Sequence, residues 1–255
     1  MHWIYLSPHF DDVALSCGGL GWEQVQAGDS VSIWTICAGE PDPSHPFSPF
    51  AQALHLRWGT GPASAAARRA EDIASCRVMG ASYRHLPVFD CIYRGAAQGQ
   101  PYYASEEALT GPLHPDEAAG AAQLIRLDAQ HLPTGTQVVC PLSLGNHVDH
   151  QLTRLAAEQS GHALWYYADF PYVLRRPEQL VGLEQAGWQR ENFCLSATGL
   201  KAWQDAVAAH ASQISTFWAD ELRMRMAIAE YAAQERAICL WQKSETPNLP
   251  RQIHR

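Results

Sequence analysis

The chain has 255 residues, 47% hydrophobic, 17% charged and 10% aromatic, which suits one large domain with a full core and excludes a disordered chain. Eighteen Lys and Arg against 26 Asp and Glu leave a formal charge of −8. That balance argues against a nucleic-acid backbone or an anionic membrane as the main partner, because both select basic surfaces. No apolar run approaches the roughly 20 residues of a membrane-spanning helix. The Met1–Leu6 start lacks a basic segment and meets Pro8 too early for a signal peptide, so a soluble, cytoplasmic protein is expected. Seven scattered cysteines with no CxxC pair support neither a thiolate zinc cluster nor a thioredoxin-type motif, and most read as buried structural thiols.

In chain order, Trp3 to Leu6 reads as a short buried strand ended by Ser7-Pro8. Asp11-Asp12 open a helix closed by Gly28. Val31 to Cys37 is near-continuously apolar, as a parallel strand buried on both faces is. Residues 41–62 hold five prolines and read as a long loop beside a site. A helix is predicted over Ala63 to Met79, a strand over Tyr83 to Val88, and an irregular Gly/Pro-rich segment over residues 95–115. Then come a helix over 116–130, a strand over Gln137 to Pro141, a helix over Asp149 to Gly161 and a strand over Ala163 to Tyr167. From about Thr198 to Trp241 the pattern is mostly helical, with a polar tail carrying Pro247 and Pro250. This alternation predicts an α/β fold: a Rossmann-like, doubly wound, mostly parallel sheet with helices on both faces, in one domain spanning residues 1–255.

Two segments carry the chemistry. Ser7-Pro8-His9-Phe10-Asp11-Asp12 follows the first strand, and Gly145-Asn146-His147-Val148-Asp149-His150 follows the strand ending at Cys140-Pro141. Both positions are carboxyl ends of strands, where open α/β sheets bind ligands. His9 and Asp12 lie within one tight loop or helical turn, and His150 completes a facial set of two imidazoles and one carboxylate. Three protein ligands with an open position is the arrangement of catalytic rather than structural zinc. Asp11, beside the ligands but not among them, is the natural general base. His147, one turn before His150, would face a developing oxyanion as a cation held protonated by Asp149 or another carboxylate. The plainer alternative is that Asp11 or Asp12 merely caps the following helix.

Pro8-His9-Phe10-Asp11-Asp12 resembles the PHPDD signature of the LmbE-like (PIG-L) zinc-dependent deacetylases, with Phe10 where many members have Pro. His147-Val148-Asp149-His150 resembles their HxDH signature, and Arg68-Arg69-Ala70-Glu71 with Met79-Gly80-Ala81 resembles the helix between the two. The resemblance implies a metal-dependent hydrolase that removes an N-acetyl or other N-acyl group from an amino-sugar substrate by attack of metal-bound water. It implies His9, Asp12 and His150 as ligands of zinc (iron or cobalt being alternatives), Asp11 as general base, His147 as the oxyanion-stabilising group oriented by Asp149, and Arg68 as a substrate contact. Val13 stands where many members have Glu, outside the metal set.

Three further residues are candidate substrate contacts: Asp90 at a third strand end, then Tyr93 and Arg94. His45 and His55 read as solvated loop histidines, while Trp58 is the tryptophan placed best to face a ligand. The implied partner is a small-molecule glycan or glycoconjugate, and the sequence leaves homo-oligomerisation open. Two other functions compete with N-deacetylation. One is an amidase of a larger N-acyl or thiol-cofactor conjugate. The other is a nucleotide-binding α/β module, for which Gly18-Gly19-Leu20-Gly21 comes too late after the first strand and lacks the GxGxxG spacing.

Overall fold

The structure is a computed structural model that describes residues 1–42, 44, 46–59, 64–97, 99–124, 132–235 and 237–243. His45, Pro62, Pro247 and Pro250 lie outside the described residues, and the helix expected over 116–130 is described as far as Leu124.

The elements are β1 (His2–Ser7), α1 (Asp12–Gln26), β2 (Ser30–Thr35), α2 (Pro49–Trp58), α3 (Ser64–Met79), β3 (Ser82–His85), α4 (Glu106–Leu109), α5 (Pro115–Leu124), β4 (Thr136–Pro141), α6 (Val148–Gln159), β5 (Leu164–Tyr167), α7 (Glu178–Gln185), β6 (Gln189–Cys194), α8 (Ala197–Ala208), α9 (Ala211–Phe217), α10 (Glu221–Glu235) and β7 (Ala237–Gln242). Short 3₁₀ turns cover Cys91–Tyr93 and Tyr172–Arg175. The strands form one sheet in the order β3-β2-β1-β4-β5-β7-β6. The first five run parallel, and β7 is antiparallel to both β5 and β6.

The chain leaves β1 toward β2 and β3 and leaves β4 toward β5 in the opposite direction. With right-handed crossovers, α1 and α6 therefore cover opposite faces, and the order reverses between β1 and β4. That reversal is the switch point at which a doubly wound sheet opens a crevice. β1 and β4 pair in parallel from His2↔Thr136 to Tyr5↔Val139, so their carboxyl ends lie side by side.

Several elements depart from the sequence reading, among them α2, β6 and β7. The loop expected over 41–62 contains α2, started by Ser48, whose side chain accepts the Ala51 N–H, with Pro49 at the first helical position. β6 was not expected because it is a polar, mostly exposed edge strand with no apolar alternation. β7 falls within the stretch read as helical, but Ile238, Leu240 and Trp241 are buried between β5 and β6. The five cysteines Cys17, Cys37, Cys76, Cys91 and Cys140 are buried free thiols, as expected.

The glycines of α1 serve packing rather than phosphate binding. A Cβ on Gly19 would lie 2.7 Å from Leu195 Cδ1 and 3.3 Å from both Ile238 and Trp203, and one on Gly18 would lie 3.0 Å from Trp203 Cδ1. Trp203 on α8 is fully buried here and donates to the Leu15 carbonyl at 3.0 Å. Gly21 is different, since its added Cβ would meet only Val31, at 3.8 Å. Gly21→Ala should therefore stabilise the protein by up to about 1 kcal/mol through helix propensity. Gly19→Val should destabilise it by about 1–3 kcal/mol through overpacking. Urea melts of both variants give the two opposite signs directly.

Candidate active site

The β1–α1 corner is tied by its own polar groups. Ser7 Oγ accepts the Val13 N–H at 3.2 Å, and Asp12 Oδ2 accepts the His9 N–H at 2.7 Å. Asp11 occupies the N-cap position of α1 without making a side-chain cap bond, so the capping alternative fails for it. Its Oδ1 instead accepts from Arg68 Nη2 at 3.3 Å.

The β4–α6 corner is conformationally demanding. Ser143, Gly145 and Asn146 have φ of 63°, 84° and 62°, a left-handed backbone that is costly for Ser and Asn and that clusters at functional sites. Asn146 Nδ2 donates to the Thr110 carbonyl at 2.7 Å, which braces the bend against the segment after α4. His147 then caps α6, its Nδ1 accepting the Asp149 N–H at 3.3 Å. That bond assigns the His147 proton to Nε2.

The two corners bring His9, His147 and His150 together, with ring centroids 4.9 to 5.6 Å apart. One nitrogen from each lies within 4.8 Å of the others. Asp12 joins them: its Oδ2 is 3.1 Å from His9 Nδ1 and its Oδ1 is 3.2 Å from His150 Nε2. The opposite nitrogen of each imidazole is backed by a carboxylate. His9 Nε2 meets Asp149 Oδ2 at 2.8 Å, and His150 Nδ1 meets Asp169 Oδ1 at 2.6 Å.

This is the donor set and backing that hold a divalent metal. Buried His150 Nε2 has no hydrogen-bond partner and approaches Asp12 without hydrogen-bond geometry, as an atom facing a shared third point does. The structure brings the expected His9, Asp12 and His150 together, with His147 as the fourth side of the space; the three imidazoles also form a group that could hold a metal ion.

Several sequence expectations change. Asp149 does not orient His147 through its carboxylate. That group is fully buried and takes bonds from His9, from the Cys91 N–H at 3.0 Å and from Arg94 Nη2 at 2.6 Å. Its charge, with that of Asp12, favours the cationic His147 but is outweighed: burial, then the positive charges of His9 and His150, push the imidazole down to about 3. Nor is Arg94 free for substrate. Its guanidinium bonds Glu117, the Phe89 carbonyl at 2.7 Å and Asp149, which engages every nitrogen.

Asp90 is both a turn residue and a wall of the site. It caps the Cys91–Tyr93 turn through the Ile92 N–H at 3.2 Å and lies 3.6 Å from Arg68 Nη1. Tyr93 donates or accepts at His55 Nε2, 2.6 Å away, and His55 is buried on α2 rather than solvated. Trp58 lies under the Arg68 guanidinium, 5.1 Å from its carbon. Phe10, Ser64, Arg68, Asp90 and Tyr93 line a small, partly open cavity, in which Arg68 Nε and Ser64 Oγ are buried without partners.

Asp169 was missed, although it follows β5 as His9 follows β1. Ala168-Asp169-Phe170 is a fourth strand end, and that position was the only signal available.

A doubly wound α/β sheet with a histidine–carboxylate cluster at its switch point is the class that fold and site define. Residues 4–160 match the family described as PIG-L, GlcNAc-PI de-N-acetylase, and the chain belongs to that family. It is 31% identical over 178 residues to the 2'-N-acetylparomamine deacetylase of Streptomyces fradiae, a match covering 68% of this chain and 58% of that protein. It is 30% identical over 211 residues to the 2'-N-acetylparomamine deacetylase of Niallia circulans, covering 73% and 72%. Its fold is that of the zinc-inhibited form of teicoplanin deacetylase Orf2, with TM-score 0.79, 24% identity and coverage of 96% and 100%. The A40926 pseudoaglycone deacetylase Dbv21 superposes with TM-score 0.71 at 26% identity, covering 94% and 96%. No helix among the described residues is long and apolar enough to cross a membrane.

The charge state of the cluster sets a test. Burial opposes protonation of His150, but Asp12 and Asp169 outweigh it and raise the imidazole to about 10. A metal takes the neutral imidazole, so binding at pH 7 should release protons, and affinity should rise with pH up to about 10. Calorimetry in buffers of different ionisation enthalpy measures the release. Asp169→Asn should weaken metal binding by about 10–100-fold, read by competition with a chromogenic chelator.

Proposed function

We propose that the chain is a metal-dependent hydrolase that removes an N-acetyl group from an amino sugar of a small glycoconjugate. The observation that carries this reading is the convergence of His9, Asp12 and His150, each imidazole backed by its own carboxylate, with the Asp11 carboxylate left uncapped beside them. Family membership and the deacetylase relatives support it. Zinc is the ion favoured by two imidazoles and a carboxylate, and iron or cobalt suits the same donors. When bound, it supplies Lewis acidity toward the acyl carbonyl and lowers the pKa of water.

The protein's own groups do the rest. Asp11, held by Arg68 and free of helix capping, takes the proton of the attacking water. His147 presents the Nε2–H of a neutral ring to the acyl oxygen, in the manner of an oxyanion-hole donor. The water oxygen stays on the acyl carbon, the C–N bond breaks, and the proton held by Asp11 passes to the departing amine. Products are a carboxylic acid and a free amino sugar. Arg68 and Asp90, with Tyr93 and Ser64, line the polar cavity that takes the hydroxylated amine side. Arg94 is no substrate contact but the counterion of Asp149.

An amine-release assay on metal-loaded protein, with N-acetylglucosaminyl conjugates and N-acetylated aminoglycosides such as 2'-N-acetylparomamine, tests the activity. Loss of amine release on chelation and its return with zinc are expected. No release from any member of the panel would remove the reading.

Asp11→Asn should retain metal and lose about 10²–10⁴-fold in kcat. A variant within a few-fold of wild type would assign the base to another group. For His147, a neutral donor predicts that His147→Gln, which keeps an N–H, outperforms His147→Ala by at least about tenfold. Because burial holds His147 neutral, well below the usual imidazole range, neither variant should move the high-pH limb of the rate profile. A limb that disappears in His147→Gln would restore the cationic role.

A further inference from the structure

Five of the seven cysteines are buried, whereas Cys194 at the end of β6 is exposed and Cys239 in β7 is half-buried. Far apart in sequence, these two meet in the sheet. The antiparallel β6–β7 ladder pairs Asn192 with Cys239 and Cys194 with Ala237. Residues directly opposite share a face, as do residues two apart on one strand. Cys194 and Cys239 are therefore diagonal neighbours on one face of the sheet, at its edge strand. Both lie outside the family match of residues 4–160, and neither enters the proposed hydrolysis.

The surroundings of Cys239 are cationic. Arg190 Nε donates to its Sγ at 3.1 Å, and the Sγ lies 3.1 Å from Asn192 Oδ1. Arg190 is itself held, with its guanidinium carbon 5.9 Å from the Trp241 ring centroid and its Nε 2.9 Å from Asn192 Oδ1. A cationic N–H at sulfur favours the thiolate, the form that binds metals.

Spacing decides what the two thiols can do together. Diagonal neighbours on adjacent strands have Cα atoms about 7–8 Å apart, with Cβ atoms somewhat closer. A disulfide needs a Cα separation below about 7 Å, so a direct S–S bond would require the strands to move. An ion joined to each sulfur by a bond of about 2.3 Å spans up to about 4.6 Å between them, which two cysteine side chains turned toward each other reach from that spacing. Thiolates select soft ions, Cu(I) among them. Charge selects further. Cu(I) on two thiolates leaves one negative charge, which Arg190 compensates, whereas Zn(II) on the same pair leaves none.

We propose that Cys194 and Cys239 form a two-coordinate thiolate site for a soft monovalent cation, Cu(I) or its analogue Ag(I). Binding breaks two S–H bonds, forms two metal–sulfur bonds and releases two protons. The ion enters as Cu(I), so no electron is transferred. The site is independent of the hydrolase reading.

The test titrates the purified chain, pre-incubated with zinc to occupy the histidine cluster, with Cu(I) under anaerobic conditions against the chelator bicinchoninate. One Cu(I) per chain is expected, with two sulfur neighbours in its X-ray absorption spectrum. Cys194→Ser and Cys239→Ser should each weaken binding by about 10²–10⁴-fold, because the second thiolate then no longer binds intramolecularly. Arg190→Gln should weaken it by about two- to fivefold. Thermal melts confirm that each variant is folded, and the exposed position of Cys194 keeps the test decisive if Cys239→Ser is not. Unchanged affinity in Cys194→Ser would overturn the proposal, as would nitrogen neighbours around the copper. So would a single ion held between two chains in sedimentation, or affinity no tighter than that of free cysteine, which marks an adventitious ion only.

Discussion

Two carboxylates cross the gap between the ends of β1 and β4 in opposite directions, and the site's geometry depends on that exchange. Asp12, from the first corner, reaches His150 of the second, while Asp149, from the second, reaches His9 of the first. Each contact crosses between strands that are neighbours only because the sheet reverses direction there. Asp149 is fully closed to solvent, which is tolerable only for a paired and hydrogen-bonded charge. Its pairing with His9 and Arg94 holds its carboxyl well below the usual range despite burial. With His9 Nε2 and His150 Nδ1 committed to carboxylates, the remaining nitrogens face Asp12. A metal bound there would meet side chains whose orientation is already settled.

Charge compensation draws in elements remote in sequence. Arg94 spans Asp149 and Glu117 of α5, so the helix before β4 anchors a residue that steers His9. Tyr103 donates to the same Glu117 at 2.6 Å, which fixes the 95–115 segment against it. The left-handed residues before His147 belong to the same economy of placement. A regular turn from β4 into α6 would not deliver an imidazole as the helix cap, and Asn146 holds the bend by bonding outward to Thr110.

Much of this was legible in the sequence, for reasons that can be named. β1, β2, β4 and α6 are set by local patterns, namely apolar runs for doubly buried strands and a polar cluster at each strand end. Those ends coincide with the two motifs, so the residues gathered at the centre could be named in advance. What sequence did not reveal is pairing across space. Asp149 sits two residues from His147, yet on a helix the two side chains diverge, and its partner is His9, 140 positions away. Arg94 reads as a substrate contact in the sequence because no local pattern marks Glu117 as its partner. β6 escaped notice because an exposed edge strand such as Gln189–Cys194 carries no apolar alternation.

The boundary of the family match has a physical meaning. Residues 4–160 contain His9, Asp11, Asp12, Arg68, Asp90, His147, Asp149 and His150, so the proposed ligand set and base lie within it. Asp169, which backs His150, lies just beyond, as do Val207, His210, Ile214, Phe217 and Trp218, which line a small apolar cavity beside Asp11. α3 couples the two regions. Arg68 bonds Asp11, and one helical turn later Glu71 caps the turn that carries His210. Substitutions in α8 and α9 can therefore reshape the apolar cavity without touching His9, Asp12 or His150, while any change that shifts α3 moves Asp11 and that cavity together.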